Sequence, residues 1–208
     1  MFRKIVSLTN DPILRQWVYG FLIRKWDWKN PKSHRPDYIS NLTLDLSETN
    51  GSSFYEMKKF NKPEGKAKYN LAGETMNLEL ESYQKFVEKD FFDTESIRAF
   101  HRFAWLSNSG PINEPEWTVL MWESWVEKYF DTGSIYAWQP YTISERLTNI
   151  VMFADRHGFP AKREKFHEFV LKHIKILYEN LEYFGDHHTG NHLANNGKGL
   201  YLVGLYLE

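Results

Sequence analysis

Cysteine is absent from the 208 residues. A disulfide framework and thiol chemistry are therefore excluded, and the cysteine count leaves the redox compartment open. The chain also lacks an excess of one charge, with 26 basic against 27 acidic residues and a net charge of −1. A nucleic-acid-binding protein is expected to carry a basic face, so we expect no nucleic-acid partner. A local basic groove for an anionic polysaccharide remains compatible with this balance.

Long hydrophobic runs are also missing. Residues 1–11 contain a short apolar patch that Asn10 and Asp11 interrupt. This patch is too short for the core of a signal peptide and far too short for a membrane span. We therefore expect a soluble chain without a membrane partner. Taken as it stands, the sequence predicts a cytoplasmic protein.

Aromatic residues, by contrast, are abundant at 17% of the chain. Most of them are explained by a large hydrophobic core, because aromatic side chains bury large areas. The surplus also suits sugar binding, since the C–H faces of pyranoses stack on aromatic rings.

The pattern changes twice along the chain. Residues 12–28 have apolar residues at helical spacing, whereas 29–90 contain Pro and Gly and short alternating segments, such as 42–46 and 76–80, that indicate strands or extended loops. From about residue 93 the spacing is helical to the end. We therefore predict an irregular N-terminal region over 1–92 and a helical domain over 93–208.

Local signals mark the ends of these helices. Proline opens a helix over 115–130, and the segment 142–145 (TISE) is a capping box for the next. A long helix follows that should end at Gly185, and a last helix should begin near Asn191. Residues 200–207 are apolar all round, so we expect a buried helix with Leu200, Val203 and Leu207 inside; helices of this kind stack as antiparallel pairs in solenoids and α/α toroids.

Three segments resemble heparinase II/III-like polysaccharide lyases. Residues 100–106 (FHRFAWL) are similar to the family's LHRFxWL segment, and residues 138–149 (WQPYTISERLTN) to its WxPYxxxxRxxN segment. Residues 189–200 (TGNHLANNGKGL) resemble GNHLLANxxAL. The resemblance covers roughly residues 95–208 and implies a mainly α fold, an incomplete α/α toroid.

The resemblance also implies a chemistry. These bacterial enzymes cleave uronic-acid polysaccharides by β-elimination, in which a base removes the proton next to the carboxylate and an acid protonates the leaving oxygen. Asn191 would hold the carboxylate, and His192 would be the adjacent base or second donor. The alternatives are that Asn191 is a helix N-cap and that His192 is a satisfied core histidine.

Further residues are assigned to substrate binding. Arg146 and Asn149 share one helix face, where Arg146 would clamp a sugar carboxylate; the alternative is a structural ion pair or a solvated face. Trp138 and Tyr141 are candidate stacking platforms, although a packed loop explains them about as well. The GNH motif adds two further candidate contacts, His188 and Asn195.

No metal or cofactor is expected. His188 and His192 have the i, i+4 spacing of a zinc-binding pair, with His187 beside them. However, the motif lacks the Glu of the H-E-x-x-H signature, and Gly190 interrupts the helix that would be needed.

The resemblance leaves the catalytic set incomplete. The family's general-acid tyrosine and its C-terminal β-sandwich come later in the chain, and neither Tyr201 nor Tyr206 matches that tyrosine. We therefore expect an N-terminal lyase part that is inactive alone, in the periplasm if the family location applies. The alternatives are a stand-alone module for acidic glycans and a helical scaffold. The nucleotide sequence just past Glu208 would separate the N-terminal lyase part from these alternatives. A severed last helix would also expose one face of residues 201–207 and promote self-association.

Overall fold

The computed structural model describes residues 60–71, 73–107, 115–158, 163–183 and 190–207, together with Val18 and Leu44. The predicted helix over 12–28 and the strand at 42–46 lie outside the described residues, apart from Val18, which is helical, and Leu44, which is in neither a helix nor a strand. In chain order the elements are β1 (Lys66–Leu71), β2 (Glu74–Glu79), α1 (Lys85–Glu88), α2 (Thr94–His101), α3 (Ala104–Ser107), α4 (Pro115–Tyr129), α5 (Pro140–His157), α6 (Arg163–Glu179) and α7 (Asn191–Leu207). The described part of the chain is therefore mainly helical, as predicted.

The strands β1 and β2 form an antiparallel hairpin. Their register pairs Lys66 with Glu79 and Leu71 with Glu74, and Gly73 takes a positive φ of 103° in the turn. Alternate residues face inward, because successive side chains of a strand point to opposite faces. The inward residues join the same hydrophobic core as the helices, so the hairpin and the helical region share one core.

Several helix ends agree with the local signals. Helix α4 begins at Pro115, and α5 ends before Gly158, whose φ of 79° suits glycine. The capping box at 142–145 is wrong, because α5 begins at Pro140 with Gln139 at the cap and no side-chain cap bond. Helix α6 ends at Glu179 rather than near Gly185, with the backbone of Asn180 bonded to the carbonyl of Leu177.

Helices α5 and α7 run side by side in the same direction. The carbonyl of Tyr141 accepts a hydrogen bond from the Asn195 amide at 3.2 Å, and further along both helices Lys198 pairs with Glu145 at 2.7 Å. Residue numbers therefore rise together along both helices. Helix α6 runs the opposite way, since Phe166 near its start packs on Tyr206 at the end of α7.

A close approach at Gly199 allows α5 and α7 to pack this tightly. A Cβ atom added to Gly199 would lie 2.3 Å from the Ser144 hydroxyl and 3.0 Å from its Cα. The same hydroxyl donates a hydrogen bond to the carbonyl of Asn195. A larger residue at this point of α7 would therefore force Ser144 or its helix to shift, whereas Gly197 has no atom within 4 Å of its added Cβ.

Helices α4 and α6 also run in the same direction. Lys165 lies over the ring of Trp122, and His173, two turns further along α6, lies beside Trp125. Because α6 is antiparallel to α7, and α7 is parallel to α5, successive helices from α4 to α7 alternate in direction. Helices two apart in the sequence therefore lie side by side, as in stacked helix hairpins.

The last helix is only partly buried. Val203 is fully buried and Tyr206 nearly so, while Leu200 and Leu207 are partly buried against the core. The expectation that the whole helix is buried is therefore wrong. The expectation that one face of residues 201–207 is accessible is confirmed, because Tyr201 is 67% exposed.

No helix among the described residues combines the length and the apolar character needed to cross a membrane.

Candidate functional site

Arg146 lies in the centre of the core. Its side chain is 0% exposed. The guanidinium donates from Nε to Nε2 of His173 at 3.0 Å, from Nη1 to the carbonyl of His101 at 2.7 Å, and from Nη2 to the carbonyl of Ala137 at 2.8 Å. Among the described residues no carboxylate pairs with this arginine. Its burial costs stability unless its donors are satisfied, and neutral acceptors satisfy three of them.

Aromatic rings and neutral histidines surround this guanidinium. Its carbon lies 4.3 Å from the ring centre of Trp125, within cation–π range. His101 accepts a hydrogen bond from the Trp125 indole at Nδ1, and burial together with the charge of Arg146 lowers its pKa to about 3. Burial and Arg146 also hold the pKa of His173 well below the usual value. Both imidazoles are therefore neutral, which leaves a ring nitrogen of each free to accept a hydrogen bond.

These contacts correct two substrate-binding assignments. Arg146 is buried beyond the reach of any sugar, so it cannot be the carboxylate clamp, and it is not on a solvated face either. Asn149 shares its helix face, and its amide donates to the carbonyl of Arg102 at 2.9 Å. Together the two side chains satisfy carbonyl groups at the C-terminal end of α2, which have no partner within the helix.

Trp138 lies beside the candidate site rather than in it. Its indole donates to the carbonyl of Tyr129 at 3.3 Å, and its ring packs 4.9 Å from that of His173. The rest of the side chain lines a shallow depression of about 650 Å³ that also contains Lys172 and the exposed Ile135. The ring is thus half-buried, which supports the packed-loop alternative as well as a role in binding.

A separate cleft of about 450 Å³ brings together three of the predicted residues, Asn191, His192 and Tyr141. They come from two of the segments that resemble the lyase family, at the N-terminal ends of α7 and α5. The lining is completed by Glu95, Arg98, Arg102, Gln139, Pro140 and Glu182. The parallel packing of α5 against α7 brings the two helix starts to the same end of the fold.

His192 is held by a carboxylate. Its Nδ1 lies 2.8 Å from Oε1 of Glu182, and its ring centre lies 4.7 Å from that of Tyr141. Glu182 is in turn fixed by Asn196, which accepts from the Glu182 backbone N–H at 2.9 Å and donates to Oε2 at 3.2 Å. A carboxylate at Nδ1 favours the tautomer that carries its proton there, which leaves Nε2 as the basic nitrogen.

Asn191 is the first residue of α7, which confirms the predicted start of this helix. Its side chain is exposed and makes no hydrogen bond within the described residues. The N-cap position belongs to Gly190, so the Asn191 side chain does not cap the helix. Its amide therefore remains available to a ligand in the cleft.

Asn195 requires a correction. It is 7% exposed, and its amide is bonded to the carbonyl of Tyr141. It therefore joins α5 to α7 and does not reach the cleft. His187 and His188 lie outside the described residues. Among the residues that the structure describes, no group of three or more His, Asp or Glu side chains has the geometry to hold a metal ion.

Six lining residues were not predicted, and two of them, Arg102 and Glu182, contact predicted residues directly. Arg102 belongs to the HRF segment, so the signal was present in a motif already noted, and its guanidinium lies 4.7 Å over the ring of Tyr141. Glu182 carried no signal, because its contact with His192 spans a loop that follows α6. Arg98 and Glu95 complete the rim as an exposed ion pair.

No family model, curated protein or solved structure matches this chain. The relation to the heparinase II/III-like lyases therefore stays a prediction from the three segments.

Proposed function

We propose that the cleft binds a uronate unit of an acidic polysaccharide, as the substrate-holding half of a β-elimination site. The observation that supports this most directly is the meeting of Asn191, His192 and Tyr141 in one cleft with Arg102. An amide, a basic imidazole, an aromatic ring and a cation are the groups that an anionic sugar needs.

The chemistry assigns one task to each group. In β-elimination the C5 proton goes to a base, the C4–C5 double bond forms, and the C4–O4 bond breaks as O4 takes up a proton. His192 would accept the C5 proton at Nε2, since Glu182 occupies Nδ1. The Asn191 amide would stabilise the charge that develops on the carboxylate.

The proton donor for O4 is not supplied by the tyrosines of α7. Tyr201 lies ten residues from Asn191, which is about 15 Å along a helix, and Tyr206 is buried. Tyr141 does line the cleft, but its ring packs against both Arg102 and His192 as a platform. The chain alone should therefore bind the polysaccharide without turning it over.

The helix arrangement supports the same proposal. Helices of alternating direction, with α5 parallel to α7, are the repeating unit of an α/α toroid. We therefore propose that α4 to α7 are an arc of such a toroid, with the cleft at one rim of the arc.

Binding and turnover can be measured separately. Calorimetric titration of the purified chain with alginate and heparan sulfate oligosaccharides should show binding that His192→Ala and Asn191→Ala each weaken by about tenfold, the worth of one good polar contact. Asn77→Ala, an exposed asparagine on β2, should bind like the wild type. Equal affinity in all four proteins would place the ligand elsewhere.

Turnover is followed by the ultraviolet absorbance of the C4–C5 double bond. No steady rise is expected from the chain alone. A rise that His192→Ala abolishes would make the chain a complete lyase and would contradict the proposal that it only binds. Failure to bind any acidic oligosaccharide would favour the helical scaffold.

A further inference from the structure

Arg102 differs from the other arginines of this region in having no hydrogen-bond partner for its guanidinium within the described residues. Its Nε is buried and unpartnered, and its nearest carboxylate oxygen, on Glu95, is 3.8 Å away. Glu95 is itself 60% exposed and is already hydrogen-bonded to Arg98. The charge of Arg102 is therefore only loosely balanced.

The position of Arg102 is nevertheless fixed. Its backbone N–H donates to the carbonyl of Arg98 at 2.8 Å, and its own carbonyl accepts from Asn149. The guanidinium packs against the face of Tyr141, and the exposed quarter of the side chain lines the cleft beside Asn191 and His192. A cation that is held in place while its donors remain free is suited to receive an anion from solution.

We propose that Arg102 binds the carboxylate of the uronate in this cleft and thereby restricts the site to acidic sugars. The inference rests on the proposed function and adds the residue that recognises the charge. It also gives Arg102 the role that the motif comparison assigned to Arg146. Guanidinium and carboxylate match as planar, bidentate partners, so the geometry of the pair as well as its charge contributes.

The test compares ligands that differ only in their carboxylates. Affinity is measured for a mannuronate hexasaccharide and for its carboxyl-reduced, neutral form, with wild type and Arg102→Gln. Wild type should bind the acidic form about 10- to 100-fold more tightly than the reduced form, the range for a hydrogen-bonded ion pair. In Arg102→Gln this preference should fall to about threefold or less, with little change for the neutral ligand.

Two further variants separate geometry from general charge. Arg156→Gln removes the same charge from an exposed position outside the cleft and should keep the preference. Arg102→Lys should retain part of it, since a lysine keeps the charge and loses the bidentate fork. If Arg102→Gln does not fold, as judged by circular dichroism, Arg102→Lys provides the comparison.

The outcomes are distinguishable. A preference in Arg102→Gln equal to that of wild type overturns the assignment and leaves the proposed function intact, as does a loss in Arg156→Gln equal to that in Arg102→Gln. The affinity of wild type is also measured for a carrageenan hexasaccharide, which carries sulfate esters and no carboxylate. If it binds as tightly as the mannuronate ligand, the site is not a carboxylate site. Binding of neither ligand by wild type overturns the proposed function as well.

Discussion

Replacing Arg146 tests whether its role is structural or ligand-binding. In Arg146→Gln, the carbonyls of His101 and Ala137 and the Nε2 of His173 lose their donor. Each buried acceptor left without a partner costs about 1–3 kcal/mol, which sums to about 3–9 kcal/mol. Some water would enter the space that the shorter side chain vacates, so we expect the lower part of this range, about 3–5 kcal/mol.

The assay is urea unfolding followed by tryptophan fluorescence. A loss of this size is a large share of the total stability of a typical domain, about 5–15 kcal/mol. Arg146→Lys should also be destabilised, because one ammonium group cannot reach three acceptors placed around a planar fork. Arg156→Gln, an exposed arginine on the same helix, should change the unfolding free energy by no more than about 0.5 kcal/mol.

The reasoning fails if Arg146→Gln unfolds within about 0.5 kcal/mol of the wild type while losing affinity for an acidic oligosaccharide. That result would require the guanidinium to be accessible, in contradiction to its burial.

Three further predictions follow from other parts of the fold. Gly199→Ala should destabilise the protein by about 1–3 kcal/mol through overpacking against α5, whereas Gly197→Ala should be neutral or stabilising by up to about 1 kcal/mol, and thermal unfolding of the pair compares them directly. The pKa of His101 is about 3 in the folded state and about 6.5 in the unfolded state, so the unfolded chain binds more protons below about pH 6.5. The free energy of unfolding should therefore decrease as the pH is lowered from about 7 to 5. His101→Gln should reduce this slope, measured by urea titration, by up to about 1.4 kcal/mol per pH unit. Tyr201 and Leu205 are 67% and 44% exposed, so light scattering should show that the wild-type protein self-associates. The double variant Tyr201→Lys, Leu205→Lys should be monomeric. A monodisperse wild-type monomer of 24.8 kDa would contradict the prediction.

Helix positions could be predicted because their signals are local. Pro115 and Gly158 act through their own backbone angles, so they mark helix ends without knowledge of the rest of the chain. The capping box at 142–145 failed because Glu145, whose side chain would have to reach back to the cap, pairs with Lys198 of α7, and Pro140 had already supplied a helix start. Local chemistry allowed both starts, and packing selected the earlier one.

The site could be predicted only in part. The pair Asn191 and His192 was found from a motif, and both line the cleft. Arg146 and Asn149 were placed correctly on one helix face, but spacing along a helix does not show whether that face meets solvent or another helix. The contact between Glu182 and His192 depends on the path of the chain between α6 and α7, which no local pattern encodes.

Helix α5 packs more extensively against α7 than against α6, its neighbour in the sequence. The hydrogen bonds that join them link residues 51 to 54 positions apart. A ribosome that adds about 5–20 residues per second needs about 3–10 s to synthesise that stretch. During this interval the face of α5 that packs against α7 in the folded protein is not yet buried by that helix. Substitutions there can therefore lower the yield of the nascent chain through aggregation or proteolysis while the finished protein keeps its equilibrium stability.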